Sequence, residues 1–182
     1  MSDEDDYLDD LGDLDEIALA IIEGRDDYVL PSELLEDEID PDAAKQSLQN
    51  KILNMKVGER LKLALKGGRD ARSILIRDPN RLVQRFVLQN PRISDEEVVA
   101  VAKNRTAERD LLELISKKKE WINNYQVRLA LVTNPKTPTV IAVRYVNTLL
   151  VRDLRLLAKS KNVPVAVNGA AKRIVIDRTG GV

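Results

Sequence analysis

Three Arg-Asp pairs are the first places where this sequence could do chemistry: Arg69-Asp70, Arg109-Asp110 and Arg152-Asp153. A carboxylate can serve as a general acid or base, and a guanidinium can hold a phosphate or carboxylate in bidentate fashion. The surroundings of the three pairs match. Counting from each Arg, apolar residues follow at +2, +5 and +6: Ala71, Ile74 and Leu75; Leu111, Leu114 and Ile115; Leu154, Leu157 and Ala158. That spacing is one face of a helix. A pair that recurs three times at one structural position belongs to the packing or capping of a repeated unit, so no catalytic residue is assigned. The arginines stay candidates for binding an anion.

Composition removes most other chemistry. With no cysteine and no histidine, disulfides, thiolate metal sites, imidazole bases, Ser-His-Asp triads and nearly all zinc sites are excluded. No G-x-x-x-x-G-K-[ST] or G-x-G-x-x-G string is present, and Gly67-Gly68 before Arg69 reads as a helix stop followed by a new start. The acidic N-terminus lacks the D-x-D-x-D-G…E spacing of a calcium loop. No cofactor and no metal is expected. No apolar run approaches the roughly 20 residues that span a bilayer, and the first residues are acidic where a signal peptide would be basic. The expectation is a soluble, cytoplasmic protein without membrane insertion.

Charge is divided sharply along the chain. Residues 1–44 hold 18 Asp/Glu and one basic residue, Arg25, for a net −17. Residues 45–182 hold 12 Asp/Glu against 28 Lys/Arg, for a net +16. The opening MSDEDDYLDDLGDLDE carries nine carboxylates in sixteen residues, and self-repulsion with little apolar surface predicts disorder there. Tyr7, Leu8, Leu11 and Leu14 are interleaved with those charges, as in short motifs that fold on a partner. The expected organisation is an acidic, disordered or weakly helical arm over 1–40, a helical body over 41–178 and a tail over 179–182. Within the arm, IALAIIEGRDDYVL predicts a short helix ending at Gly24 and PSELLEDE another; docked and free states are both compatible with them.

The body repeats itself. VQRFVLQNP (83–91) and VRLALVTNP (127–135) align at an offset of 44, and AKRIVIDRT begins 44 further on, at Ala171, keeping the apolar spacing without the Asn-Pro. Each Arg-Asp helix is preceded by another: GERLKLALK, SDEEVVAVAK and PTVIAVRYV. Ser94 with Glu97 forms a capping box, Thr137 before Pro138 is a helix start, and Asp40-Pro41 opens the helix AAKQSLQNKILNM. The unit is three short helices, present at about 57–93, 94–136 and 137–178. Pro135 and Pro138 then punctuate the junction between units, since proline cannot lie inside a helix.

The string VRLALVTNPKTP (127–138) resembles the leucine-rich-variant repeats within the HEAT/armadillo class. The resemblance implies an all-α fold: a right-handed α-solenoid of about three three-helix repeats behind an acidic, largely disordered arm, holding partners on its broad faces. The first unit ends NPRIS and the third lacks the string, and the cysteine-bound cluster of the founding members cannot carry over to a chain without cysteine. Small units of this kind bury their apolar faces by stacking. Trp121 and Tyr125, four apart, would be neighbours on one helix and packed inside. HEAT-like folds include DNA-base-removing glycosylases, but Trp121 beside Glu120 or Asp110 is the one combination here that could serve, and an enzyme is set aside.

The basic surface is the better candidate. Arg69, Arg72, Arg109, Lys117, Lys118, Lys119, Arg128, Arg152 and Arg155 are the residues expected to meet an anionic partner, with Arg69, Arg109 and Arg152 in one row if the units stack. Two functions compete. In one, the chain is a non-enzymatic protein–protein interaction or adaptor module whose arm recruits a second protein or covers the basic face. In the other, it binds the phosphate backbone of nucleic acid and its arm is an autoinhibitory mimic. The last unit, GAAKRIVIDRTGGV, ends without a polar cap, which leaves self-association open.

Overall fold

A computed structural model of the protein describes residues 12–36 and 43–180. Twelve α-helices, a short 3-10 helix and no strand occur among the described residues. None of these helices is long and apolar enough to cross a membrane. The chain divides into two compact units, Met1–Ile93 and Ser94–Val182.

The first unit contains α1 (Gly12–Glu23), the 3-10 helix Ser32–Leu34, α2 (Ala43–Leu53), α3 (Val57–Lys66), α4 (Arg69–Leu75) and α5 (Arg81–Val87). α1 ends as the sequence predicts: Gly24 takes a φ of +71°, a left-handed conformation that glycine adopts without steric cost. What the sequence left open is settled by burial. Ala18, Ile21 and Leu34 share one core with Leu48, Ile52, Leu61, Ala64 and Leu75, and α1 packs on α3. The part of the acidic segment after residue 15 is therefore built into the first unit, and a helical body starting at 41 divides this core. Asp40-Pro41, Tyr7, Leu8, Leu11 and the Leu14 side chain lie outside the described residues.

The second unit holds α6 (Asp95–Lys103), α7 (Arg109–Lys117), α8 (Lys119–Asn123), α9 (Tyr125–Thr133), α10 (Thr139–Val146), α11 (Val151–Lys159) and α12 (Val165–Thr179). α6 begins with the expected capping box: Ser94 Oγ accepts from the Glu97 N–H at 3.3 Å, and the Glu97 carboxylate accepts from the Ser94 N–H at 2.9 Å. Two expectations need correction. Trp121 and Tyr125 do not share a helix, because α8 stops at Asn123 and Asn124 caps α9 by accepting from the Gln126 N–H. Thr137 does not cap α10. Pro138 stands at that position, and the buried Thr137 hydroxyl finds no hydrogen bond among the described residues.

The stretch 94–136 holds four helices, α6 to α9, where three were expected; within 57–93, 94–136 and 137–178 the first and last helices meet: α3 with α5, α6 with α9, and α10 with α12. One side chain locks each of these pairs. Asn90 donates through Nδ2 to the carbonyls of Ala64 and Gly67 at 2.9 and 3.2 Å, at the end of α3. Asn134 donates to Ala102 and Asn104 at 2.8 and 2.9 Å, at the end of α6. Arg178, 44 further on, donates to Asn147 and Leu149 at 2.5 and 2.8 Å, at the end of α10. The last carbonyls of a helix lack intrahelical partners; Asn90 and Asn134 serve them, while Arg178 serves the turn that follows α10. The Asn of Asn-Pro is thus a clamp between helices, and at the matching position 44 further on the exposed Arg178 ties α12 to the turn after α10.

Candidate binding surface

The cations that the sequence singled out divide by burial and by partner. Arg72 is not a surface residue: it is 3% exposed, and Nη1 donates to the Gly67 carbonyl at 3.0 Å. It sits one step from Ala71 on a seven-residue helix whose inward residues are Ala71 and Leu75, so it turns inward with them. Arg128 is half-buried and closes the end of α8, with Nη1 donating to the Ile122 and Asn123 carbonyls at 2.6 and 3.0 Å. Lys118 lies over the Trp121 ring, 4.2 Å from its centroid, a cation–π contact of about 0.5–1 kcal/mol where exposed. Trp121 itself is 7% exposed and packs inside.

The others reach solvent. Arg69, Lys117, Lys119, Arg152 and Arg155 are exposed. Arg109 is exposed too and pairs with Glu113 at 3.0 Å across one turn. Arg152 lies 3.5 Å from Asp153. The Arg-Asp pair has a structural use in this third copy, because the Tyr125 hydroxyl donates to Asp153 and accepts from the Leu150 N–H at 3.2 Å. Burial, with the Asp153 carboxylate as second cause, raises the Tyr125 phenol above its ordinary value.

α11 carries two of the exposed singled-out cations, Arg152 and Arg155, around an exposed leucine. Leu154 and Leu157, 0% and 3% exposed, turn into the core, while Leu156 is 69% exposed. Arg152, Arg155 and Lys159 are exposed around it at i, i+3 and i+7. Lys159 escaped the sequence reading, although its spacing from Arg152 and Arg155 would have shown it. The residues of the second unit, 94–182, hold 16 Lys/Arg and nine Asp/Glu, net +7; residues 1–93 hold 13 and 21, net −8.

The acidic segment meets other cations. Lys62 donates to Asp26 at 2.6 Å and to the Tyr28 carbonyl, Lys51 pairs with Glu33 at 2.5 Å, and Arg92 donates to the Leu35 carbonyl at 3.0 Å. None of these three was singled out from the sequence. Burial pushes the Asp26 carboxyl up, but the Lys62 ammonium and backbone N–H groups outweigh it and hold Asp26 below its ordinary value. A carboxylate depressed in the folded state stabilises above its unfolded pKa and loses that contribution as pH falls through the folded one. Thermal unfolding of wild type and Asp26→Asn should therefore differ most at neutral pH. The two melting curves should converge as pH drops below the carboxylate range. A gap of constant size down to acid pH would assign the Asp26 effect to packing.

Among the described residues no group of three or more acidic side chains is placed to hold a metal ion. Compared with protein families, curated proteins and solved structures, the chain matches no family model, no curated protein and no solved structure.

Proposed function

We propose that the chain is a non-enzymatic interaction module of the α-solenoid kind, an adaptor that holds an acidic protein partner on its basic surface. The observation that carries this reading is the outward face of α11: Arg152, Arg155 and Lys159 around an exposed Leu156. Cations alone would suit any polyanion. A leucine exposed in their midst adds nothing for a phosphate backbone but gives an acidic, leucine-bearing peptide an apolar contact. The clamps at Asn90 and Asn134 support the repeat reading, since both tie the last helix of their stretch to the end of its first helix in the same way. The nucleic-acid reading ranks second: the body's aromatics are occupied, with Trp121 buried and the Tyr125 and Tyr145 hydroxyls bonded to Asp153 and to the Ser116 carbonyl. Little is left for base stacking.

The test uses the full chain, wild type and Arg152→Glu/Arg155→Glu, with a labelled Asp/Glu-rich peptide carrying leucines and a labelled single-stranded oligonucleotide. The peptide should bind the wild type and lose about tenfold or more in affinity on double charge reversal, since each 1.4 kcal/mol is a factor of ten. Oligonucleotide binding that falls steeply with salt, with no peptide binding, would replace this reading by the nucleic-acid one.

A further inference from the structure

Ile176 breaks the pattern of burial that its repeat position otherwise keeps. The equivalent residues 44 and 88 positions earlier, Val132 and Leu88, are both 0% exposed, whereas Ile176 is 58% exposed. Val132 shows what fills such a seat: it shares a core with Ala142 and Val146 of α10, the first helix of the following copy. No helix among the described residues does the same for Ile176. Ile174 and Val175 beside it are only partly buried against the same core. Val165, 89% exposed, and the exposed Gly169 lie on the same side toward the start of α12, with the exposed Lys172 between them and Ile176.

We propose that this face is a self-association surface, on which α12 of a second copy of this chain packs antiparallel about a two-fold axis. A helix is the occupant that the preceding copy accepts at this position. Two features select a second copy and the two-fold arrangement. First, a head-to-tail stack would need an open first-helix face on the partner, and in the first unit α3, the counterpart of α10, is already covered by α1. Second, one pair of charges on α12 complements itself. Arg173 and Asp177 are exposed one turn apart on either side of Ile176 along the helix. An antiparallel pair centred near residue 175 sets each Arg173 opposite the other copy's Asp177, twice, with the two Ile176 side chains at the crossing. This is the reciprocal contact that a two-fold interface requires. Centred there, the two helices overlap only over residues 171–179 of α12, which buries less than the about 1,600 Å² of a standard interface, so the dimer is weak and dissociates on dilution.

Sedimentation equilibrium of the full chain tests this. The mass should rise with concentration from 20.5 kDa toward twice that value. Ile176→Glu should stay monomeric with unchanged helix content, and Arg173→Asp should weaken association. The double exchange Arg173→Asp/Asp177→Arg should restore it, because the pair is reciprocal. Val140→Glu, at another exposed apolar position (75% exposed, on α10), should leave the dimer intact. A wild type that remains monomeric at the highest attainable concentration overturns the proposal. So does a double exchange that fails to restore association, or a Val140 variant as disruptive as the Ile176 one.

Discussion

Removal of residues 1–36 is expected to unfold the first compact unit rather than liberate a basic domain. Ile21 and Leu34 are 1% and 0% exposed and Ala18 is 7% exposed, all within the core that Leu61, Ile52 and Leu75 complete. Deleting a buried large aliphatic side chain costs about 2–5 kcal/mol, and a whole domain is stable by only about 5–15 kcal/mol. Losing two such side chains, and leaving Leu61 facing water, removes most of what holds the first unit together. The measurement is thermal unfolding followed by circular dichroism on the full chain and on 37–182. The truncated protein should lose helix content at low temperature while the helices of 94–182 still melt cooperatively. Leu34→Asp in the full chain should act in the same direction, by placing a charge where no partner compensates it. Ionic strength separates this account from an electrostatic one. The Lys51–Glu33 pair is exposed and screened by salt, whereas the cost of losing Ile21 and Leu34 persists at high salt. If 37–182 keeps its full helix content and melting temperature, the arm is an appendage after all.

That expectation runs against what charge alone suggests, and the reason is physical. A net of −17 over 44 residues dominates any compositional reading, yet docking needs only a few apolar side chains at helical spacing. Ala18 and Ile21 are three apart on α1, and Leu34 follows in the 3-10 turn. These were visible as an apolar patch, but whether they had a surface to cover depended on α3. Elements with local causes were legible: the Ser94–Glu97 box, the stop at Gly24 and the three Arg-Asp helices all follow from residues within one turn of each other. The break between α8 and α9 was less so, because Asn124 competes for the α9 N–H groups in the middle of an uninterrupted apolar spacing. Contacts across 23 to 32 residues were not legible. Asn-Pro drew attention through its proline, while the Asn side chain, bonded to carbonyls in an earlier helix, does the tying. At the matching position 44 further on stands Arg178, which ties α12 to the turn after α10 through a different side chain. On the surface, Arg72 and Arg155 are the same residue type, and only the side of the helix on which each falls sends one inward and the other to solvent.

Asn134→Ala is expected to be the most damaging single substitution among the repeat clamps. Asn134 is 2% exposed. Its amide serves the Ala102 and Asn104 carbonyls, and its Oδ1 accepts from the Lys136 N–H at 2.9 Å. Alanine leaves the buried Ala102 carbonyl and the part-buried Lys136 N–H without this partner, while the Asn104 carbonyl keeps the Ala107 N–H at 3.2 Å, and each group left unpaired costs about 1–3 kcal/mol. Allowing for partial relaxation, the second unit should lose about 2–4 kcal/mol, a fall of about 10 °C or more in its melting temperature for a unit of this size. Asn134→Asp separates bonding from bulk. The carboxylate has nearly the same shape but only accepts hydrogen bonds, and it sets a negative charge at the negative end of the α6 dipole. It should destabilise at least as much as alanine at neutral pH and recover in part when acid protonates it. Arg178→Ala should cost less, about 1 kcal/mol, since Arg178 is exposed and water can reach the carbonyls it leaves. Pro135→Ala is the decisive companion. If the proline substitution takes the stability and Asn134→Ala melts with the wild type, the junction is held by backbone stiffness and the clamp is wrong. If the order is the reverse, the side chain of Asn134 binds the last helix of its copy to the first.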